Sequence, residues 1–202
     1  MSKPSIFIVC VASFFLSSCS PRDFLTRRLA GDLIAASATF RTPQRFQLRT
    51  GVISNQDYLS PDYLVLQHRG WISGTHAPCP PTLVPPPCWD VSLTPSGVDT
   101  FQSLIAPGQA DKQLLNIPSV RRELMGVTGI SKQGNIAEVE FDWKWIPVNE
   151  VGAALYPGDV RYQSSVIFRC YDDGWRLVDR VAHPAESLDE SLKNADPRAN
   201  LR

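Results

Sequence analysis

Cysteines, histidines and paired carboxylates are where catalysis or metal binding has to start, and this chain spreads them thinly. Its cysteines are Cys10, Cys19, Cys79, Cys88 and Cys170, and its histidines are His68, His76 and His183. Cys79 and Cys88 bracket the run CPPTLVPPPC, whose prolines 80, 81, 85, 86 and 87 forbid helix or central strand. The interval reads as a stiff protruding loop, and a Cys79–Cys88 bridge is the simplest pairing. The chain-entropy model gives roughly 2.5–3 kcal/mol for a loop of this size, less where proline has already restricted the unfolded chain. Two other readings stay open. Either residue could bridge to Cys170, or His76, Cys79, Cys88 and Asp90 could hold a metal, although structural zinc usually shows two close ligand pairs and only one is present. No metal is expected on that count. Cys170 lies in the strand-like run IFRC and reads as a small buried hydrophobe.

Catalytic motifs are missing. The chain has no G-x-S-x-G elbow, no H-E-x-x-H and no phosphate-cradling G-x-x-x-x-G-K. Asp172-Asp173-Gly174 is the sequence of a tight hairpin turn, and Glu138, Glu140 and Asp142 line the polar face of a strand. No catalytic residue and no cofactor is therefore expected. The alternative is a hydrolase assembled only in three dimensions, with Asp172, Asp173 or His183 among its groups. Trp143 and Trp145 share a strand face with Phe141. They either fill the core or, with Trp143 and Tyr162 at the mouth of a curved sheet, line an apolar ligand pocket.

The composition bounds the partners. The chain has 202 residues, 43% hydrophobic and 20% charged, with 20 basic and 20 acidic side chains. That excludes disorder over most of the length and a nucleic-acid binder driven by bulk positive charge. No apolar run reaches the roughly 18 residues of a spanning helix. Ile6 to Leu16, eleven residues, is an apolar stretch apart from Ala12 and Ser13, roughly 16 Å as a helix and half of a bilayer core.

That stretch follows Lys3 and ends in Leu16-Ser17-Ser18-Cys19, which resembles the lipobox of bacterial lipoprotein precursors. The resemblance covers residues 1–19 and implies cleavage before Cys19, acylation of its thiol, and anchoring to a membrane through the lipid. Ser20 in second place implies the outer membrane, on the periplasmic side, rather than the inner one. Residues 1–18 are then a signal peptide, and Cys10 leaves with them.

The rest reads as one α+β domain over 19–183. Residues 21–40 carry apolar positions at three-to-four spacing and predict an amphipathic helix. Phe46 to Ile53 predicts a strand, Ser60-Pro61-Asp62 starts a helix that stops at Gly70, and Trp89 to Leu93 is a strand before a helix beginning at Thr94-Pro95. Leu66, Gly70, Trp71, Ile72, Val91, Leu93, Thr94 and Gly97 resemble the recognition-helix end and wing of winged-helix proteins. With only Arg69 and His68 to meet phosphates, the resemblance implies architecture alone and no nucleic acid. It divides the domain into a helical part, 21–107, and a sheet part, 118–183. In the latter, Val120 to Ser131, the alternating run 137–145, Arg161 to Cys170 and Trp175 to Val181 predict an antiparallel meander with one wet face. A helix followed by a meander is loosely similar to cystatin-like and NTF2-like folds. Residues 184–202 read as a polar, frayed tail. These readings together point to a cell-envelope lipoprotein, non-enzymatic, that binds a small ligand or an envelope protein partner.

Overall fold

The computed structural model describes residues 24–81, 86–105, 113–156, 158–178 and 188–196. The fold is α+β. A five-stranded antiparallel sheet runs β1 (Gln44–Arg49), β5 (Leu114–Gln133), β6 (Ile136–Pro147), β7 (Arg161–Tyr171) and β8 (Gly174–Leu177) from edge to edge. A smaller sheet has β4 (Cys88–Leu93) between β2 (Gly51–Ser54) and β3 (Ile72–Ala77). The helices are α1 (Arg27–Ala36), α2 (Ala38–Arg41), α3 (Asn55–Tyr58), α4 (Pro61–His68), α5 (Pro95–Gln102), α6 (Glu150–Leu155) and α7 (Leu188–Ala195).

β6 carries the core. Ala137, Val139, Phe141, Trp143 and Trp145 are all buried, whereas Glu138 and Glu140 are exposed. Side chains alternate across a strand, so this sequence can sit only with its aromatic face inward. The two hairpins flanking β6 and β7 turn at Gly134-Asn135 and Asp172-Asp173, in the two places where the sequence predicts turns. Against the aromatic face pack Ala30 and Ile34 of α1, Phe40 of α2, Val151 and Leu155 of α6, and Leu188 and Leu192 of α7.

Four expectations need correction. The strand predicted over 46–53 is two strands in different sheets. The Thr50 N–H donates to the Gln113 carbonyl at 2.8 Å, and Gly51, at φ +79°, turns the chain out of the first sheet into the second. The helix predicted over 21–40 breaks at Ser37, whose backbone is extended and whose hydroxyl donates to the Ile34 carbonyl. The division at 107–118 does not hold either. The elements α1, α2 and β1 belong to the large sheet, so the two parts are interleaved along the chain.

The fourth correction concerns the polar tail. Residues 188–195 form α7, which packs on β7. Leu188, Ser191, Leu192 and Ala195 follow three-to-four spacing, a narrow apolar stripe that the surrounding polar residues conceal. Its groups satisfy the sheet's own polar atoms. The Ser191 hydroxyl accepts from the Ser165 N–H at 3.0 Å, and the carboxylate of Asp196, just beyond the helix, accepts from the Trp145 indole N–H at 2.7 Å.

The helix before Gly70, the strand ending at Leu93 and the helix beginning after Thr94 are present as read, with β3 between the first two, and the packing explains Thr94 and Gly97. The Thr94 hydroxyl accepts from the Gly97 N–H at 3.0 Å, capping α5, and donates to the Gly70 carbonyl at 2.5 Å. A Cβ on Gly97 would lie 1.9 Å from the Trp71 carbonyl oxygen, so only glycine fits. The small sheet is tied to the large one by Tyr63 of α4. Its hydroxyl donates to the Arg49 carbonyl and accepts from the Arg49 N–H, each at 2.8 Å, at the last residue of β1. Burial raises the Tyr63 pKa, and the Arg49 backbone bond opposes that shift only in part.

Leu192→Ala, in a segment whose composition suggests a frayed tail, is expected to lose about 2–5 kcal/mol through the cavity it leaves under α7. A denaturant melt measures this. A loss below about 0.5 kcal/mol would mean that α7 does not dock. Tyr63→Phe strands both backbone groups of Arg49 and is expected to cost about 1–3 kcal/mol in the same assay.

Candidate functional site

The disulfide is formed between Cys79 and Cys88, with Cα atoms 5.2 Å apart. Cys88 opens β4 opposite Ala77, the last residue of β3, so the bridge closes the proline loop where the β3–β4 ladder ends. The thiols of the alternative metal set are thereby consumed. The His76 ring lies on the indole of Trp89, its cross-strand neighbour, 4.5 Å between centroids, and Asp90 points to the other face of the strand. Among the described residues no group of three or more histidine, cysteine or acidic side chains could hold a metal ion. Cys170 is a free thiol but half-buried rather than buried, because β8 opposite it is short and ends the sheet.

Asp172 and Asp173 form the β7–β8 turn, and Asp173 is engaged by Arg176 three residues on. His183 and Cys19, with the whole lipobox, lie outside the described residues.

Trp143, named above as a ligand-binding residue, is fully enclosed. Its indole N–H donates to the Ser164 hydroxyl at 3.0 Å, Tyr162 stacks on it at 4.6 Å, and Trp145 meets it edge-on at 5.0 Å. With those neighbours in place, the ring is part of the core and lines no open cavity. Of the two readings of Trp143, core and pocket wall, the enclosure fits the core, and Tyr162 stacks on it half-buried.

A cleft among the described residues is lined in part by Arg122. β1 pairs with β5 only as far as Val120, so from Arg121 onward β5 has no strand on that side. α1 packs there instead, with Gly31 facing Leu124 and Val127. Bulges at Leu124/Gly126 and Val127/Gly129 bend β5 along the same stretch. The opening between α1, α2 and β5 has a volume of about 560 Å³, within the range of small-ligand sites. Phe40, Leu124 and Val127 give it apolar walls, and Arg27, Arg28, Arg41, Arg121 and Arg122 line it together with Asp32 and Glu123.

Arg122 is the unusual member. It stands on the inward face of β5 opposite Trp145 and is 8% exposed. Its guanidinium lies 4.7 Å from the Trp145 ring centre and 5.5 Å from that of Trp143, a cation–π placement. One terminal nitrogen donates to the Thr39 carbonyl at 3.1 Å, while Nε has no hydrogen-bond partner. Burial lowers the pKa of this guanidinium, and Asp189, Asp196 and Tyr156 act against the shift. Glu123 faces away from it, paired to Lys144 at 3.3 Å. No histidine, cysteine, serine or tyrosine is among the residues that line the cleft, and its carboxylates are Asp32 and Glu123.

Sequence reasoning missed this site. Its cations come from residues 27–28, 41 and 121–122, and no spacing rule joins them. The one available signal was Arg121-Arg122 inside a strand pattern, where a charge on the inward-facing side breaks the alternation. Comparison with family models, with curated proteins and with solved structures found no match.

Trp143→Ala is expected to cost about 3–5 kcal/mol, whereas Glu140→Gln on the wet face should change stability by less than about 0.5 kcal/mol. Paired denaturant melts check both. A Trp143→Ala protein that melts like wild type while losing a bound ligand would reinstate the pocket at that residue.

Proposed function

We propose that this protein is a non-enzymatic, lipid-anchored protein of the bacterial cell envelope that binds a small ligand in the cleft between α1, α2 and β5. The observation that carries the binding role is the cleft itself: an opening of small-molecule size, with apolar walls and polar groups converging from three elements. Its lining favours binding over hydrolysis, since arginines orient and neutralise an anion but do not attack or exchange protons near neutral pH. The envelope address rests on Leu16-Ser17-Ser18-Cys19 following an apolar core, with Ser20 favouring the outer membrane. The Cys79–Cys88 disulfide agrees with an oxidising compartment. Attachment at Cys19 needs several acyl chains to be durable, at about 0.8 kcal/mol per buried methylene.

Two measurements test this reading. Cys19→Ala is expected to abolish acylation and release the protein from the outer-membrane fraction; a free, unmodified Cys19 in wild-type protein by mass spectrometry would sink the anchoring. Ala35→Trp places a bulky ring in the cleft from an exposed position of α1. Protein purified from envelopes is expected to carry a small molecule in native mass spectra, and the Ala35→Trp protein to lack it. Identical spectra from the two proteins would remove the cleft as the ligand site.

A further inference from the structure

Charge in this chain balances to zero overall, yet the cleft gathers five arginines against two carboxylates. Of those carboxylates, Glu123 is already paired to Lys144, and of the arginines Arg122 already has Asp189 and Asp196 acting on it, so the surplus rests on Arg27, Arg28, Arg41 and Arg121. The arrangement also runs against helix electrostatics. Arg27 and Arg28 occupy the first turn of α1, which holds no acidic residue, so two cations sit at the positive end of the helix dipole. Nothing in the packing of α1 requires this, because both side chains are exposed. Behind them Arg122 is held below the surface, with an Nε that no protein atom satisfies. A buried donor left without an acceptor is destabilising, and Arg122, which carries one, is itself part of the cleft lining.

Resting on the ligand-binding reading above, we propose that this cleft seats the phosphoryl group of a small phosphate ester, with its carbon portion against Phe40, Leu124 and Val127. A carboxylate has two oxygens and one charge, enough for one or two guanidiniums. A phosphoryl monoester presents three acceptor oxygens and up to two charges, which suits arginines arriving from α1, α2 and β5. Guanidinium forks match that geometry better than ammonium groups do, and no lysine lines the cleft. The same phosphate chemistry occurs in soluble esters and in anionic lipid headgroups.

The test is titration calorimetry on the full mature protein in detergent. The probes are phenyl phosphate, glycerol 3-phosphate and dihexanoyl-phosphatidic acid below its micellar concentration, with phenylacetate and dihexanoyl-phosphatidylcholine as controls. Phenyl phosphate is expected to bind and phenylacetate not, and binding should weaken as salt rises. Binding of phosphatidic acid but not of the soluble esters assigns the phosphate to a lipid headgroup; the reverse assigns it to a soluble ester. Arg27→Gln/Arg28→Gln/Arg41→Gln removes exposed cations only, so it should melt like wild type while binding roughly tenfold or more weakly. Silence from every phosphate probe, equal binding of phenylacetate, or an undiminished affinity in the triple variant would each overturn the proposal. If the phosphate probes are silent while a copurifying molecule is still lost from Ala35→Trp, only the phosphoryl assignment falls and the ligand site stands.

Discussion

A buried indole N–H without an acceptor is costly, a cost that Trp175 carries, and the aromatic face of β6 buries two more. Trp143 and Trp145 are nearly inaccessible, and each has an acceptor within the protein. Ser164, across the ladder on β7, serves the first. The second is served by the carboxylate of Asp196, just beyond α7 and 2% exposed. Arg122 faces Trp145 from β5, and Asp189 and Asp196 both act on its guanidinium. That one donor ties the segment after α7 to the aromatic face of β6.

The cleft is a by-product of the same arrangement. Arg122 must point inward to meet the tryptophans, so β5 keeps its inner face turned toward α1 past the point where β1 ends. A helix laid beside a bulged strand without a partner strand cannot close the seam fully. The small side of α1 at Gly31 lets it approach Leu124 and Val127, while the arginines at both ends of the contact hold the seam open to water. Arg122 thus belongs to both, packed by its ring contacts and part of the cleft lining.

Local signals in the sequence reported local structure well. The alternation from Ala137 to Trp145, the hairpin residues Gly134 and Gly174, and Thr94-Pro95 at a helix start each encode their conformation within a few residues. What was not legible depended on distant partners. Gly51 looks like any residue of a strand until the second sheet is there to receive the chain. The stripe Leu188–Leu192 is too narrow to outweigh its acidic neighbours, and it becomes helical because β7 offers Ser165 and an apolar surface. The arginine cleft is the extreme case, since its members lie up to 95 positions apart and share no pattern.

The docking of α7 also sets an order on assembly. Synthesis runs from low to high residue numbers, so every strand of the large sheet emerges before Asp196 does. Until then the hairpin of β5 and β6 carries an aromatic face with an indole donor and a guanidinium that lack their anionic counterpart. A chain interrupted before residue 188 is therefore not a slightly shorter version of this protein. It is an unfinished sheet with its interior open, recognisable to proteases and chaperones by the surface that the completed chain conceals.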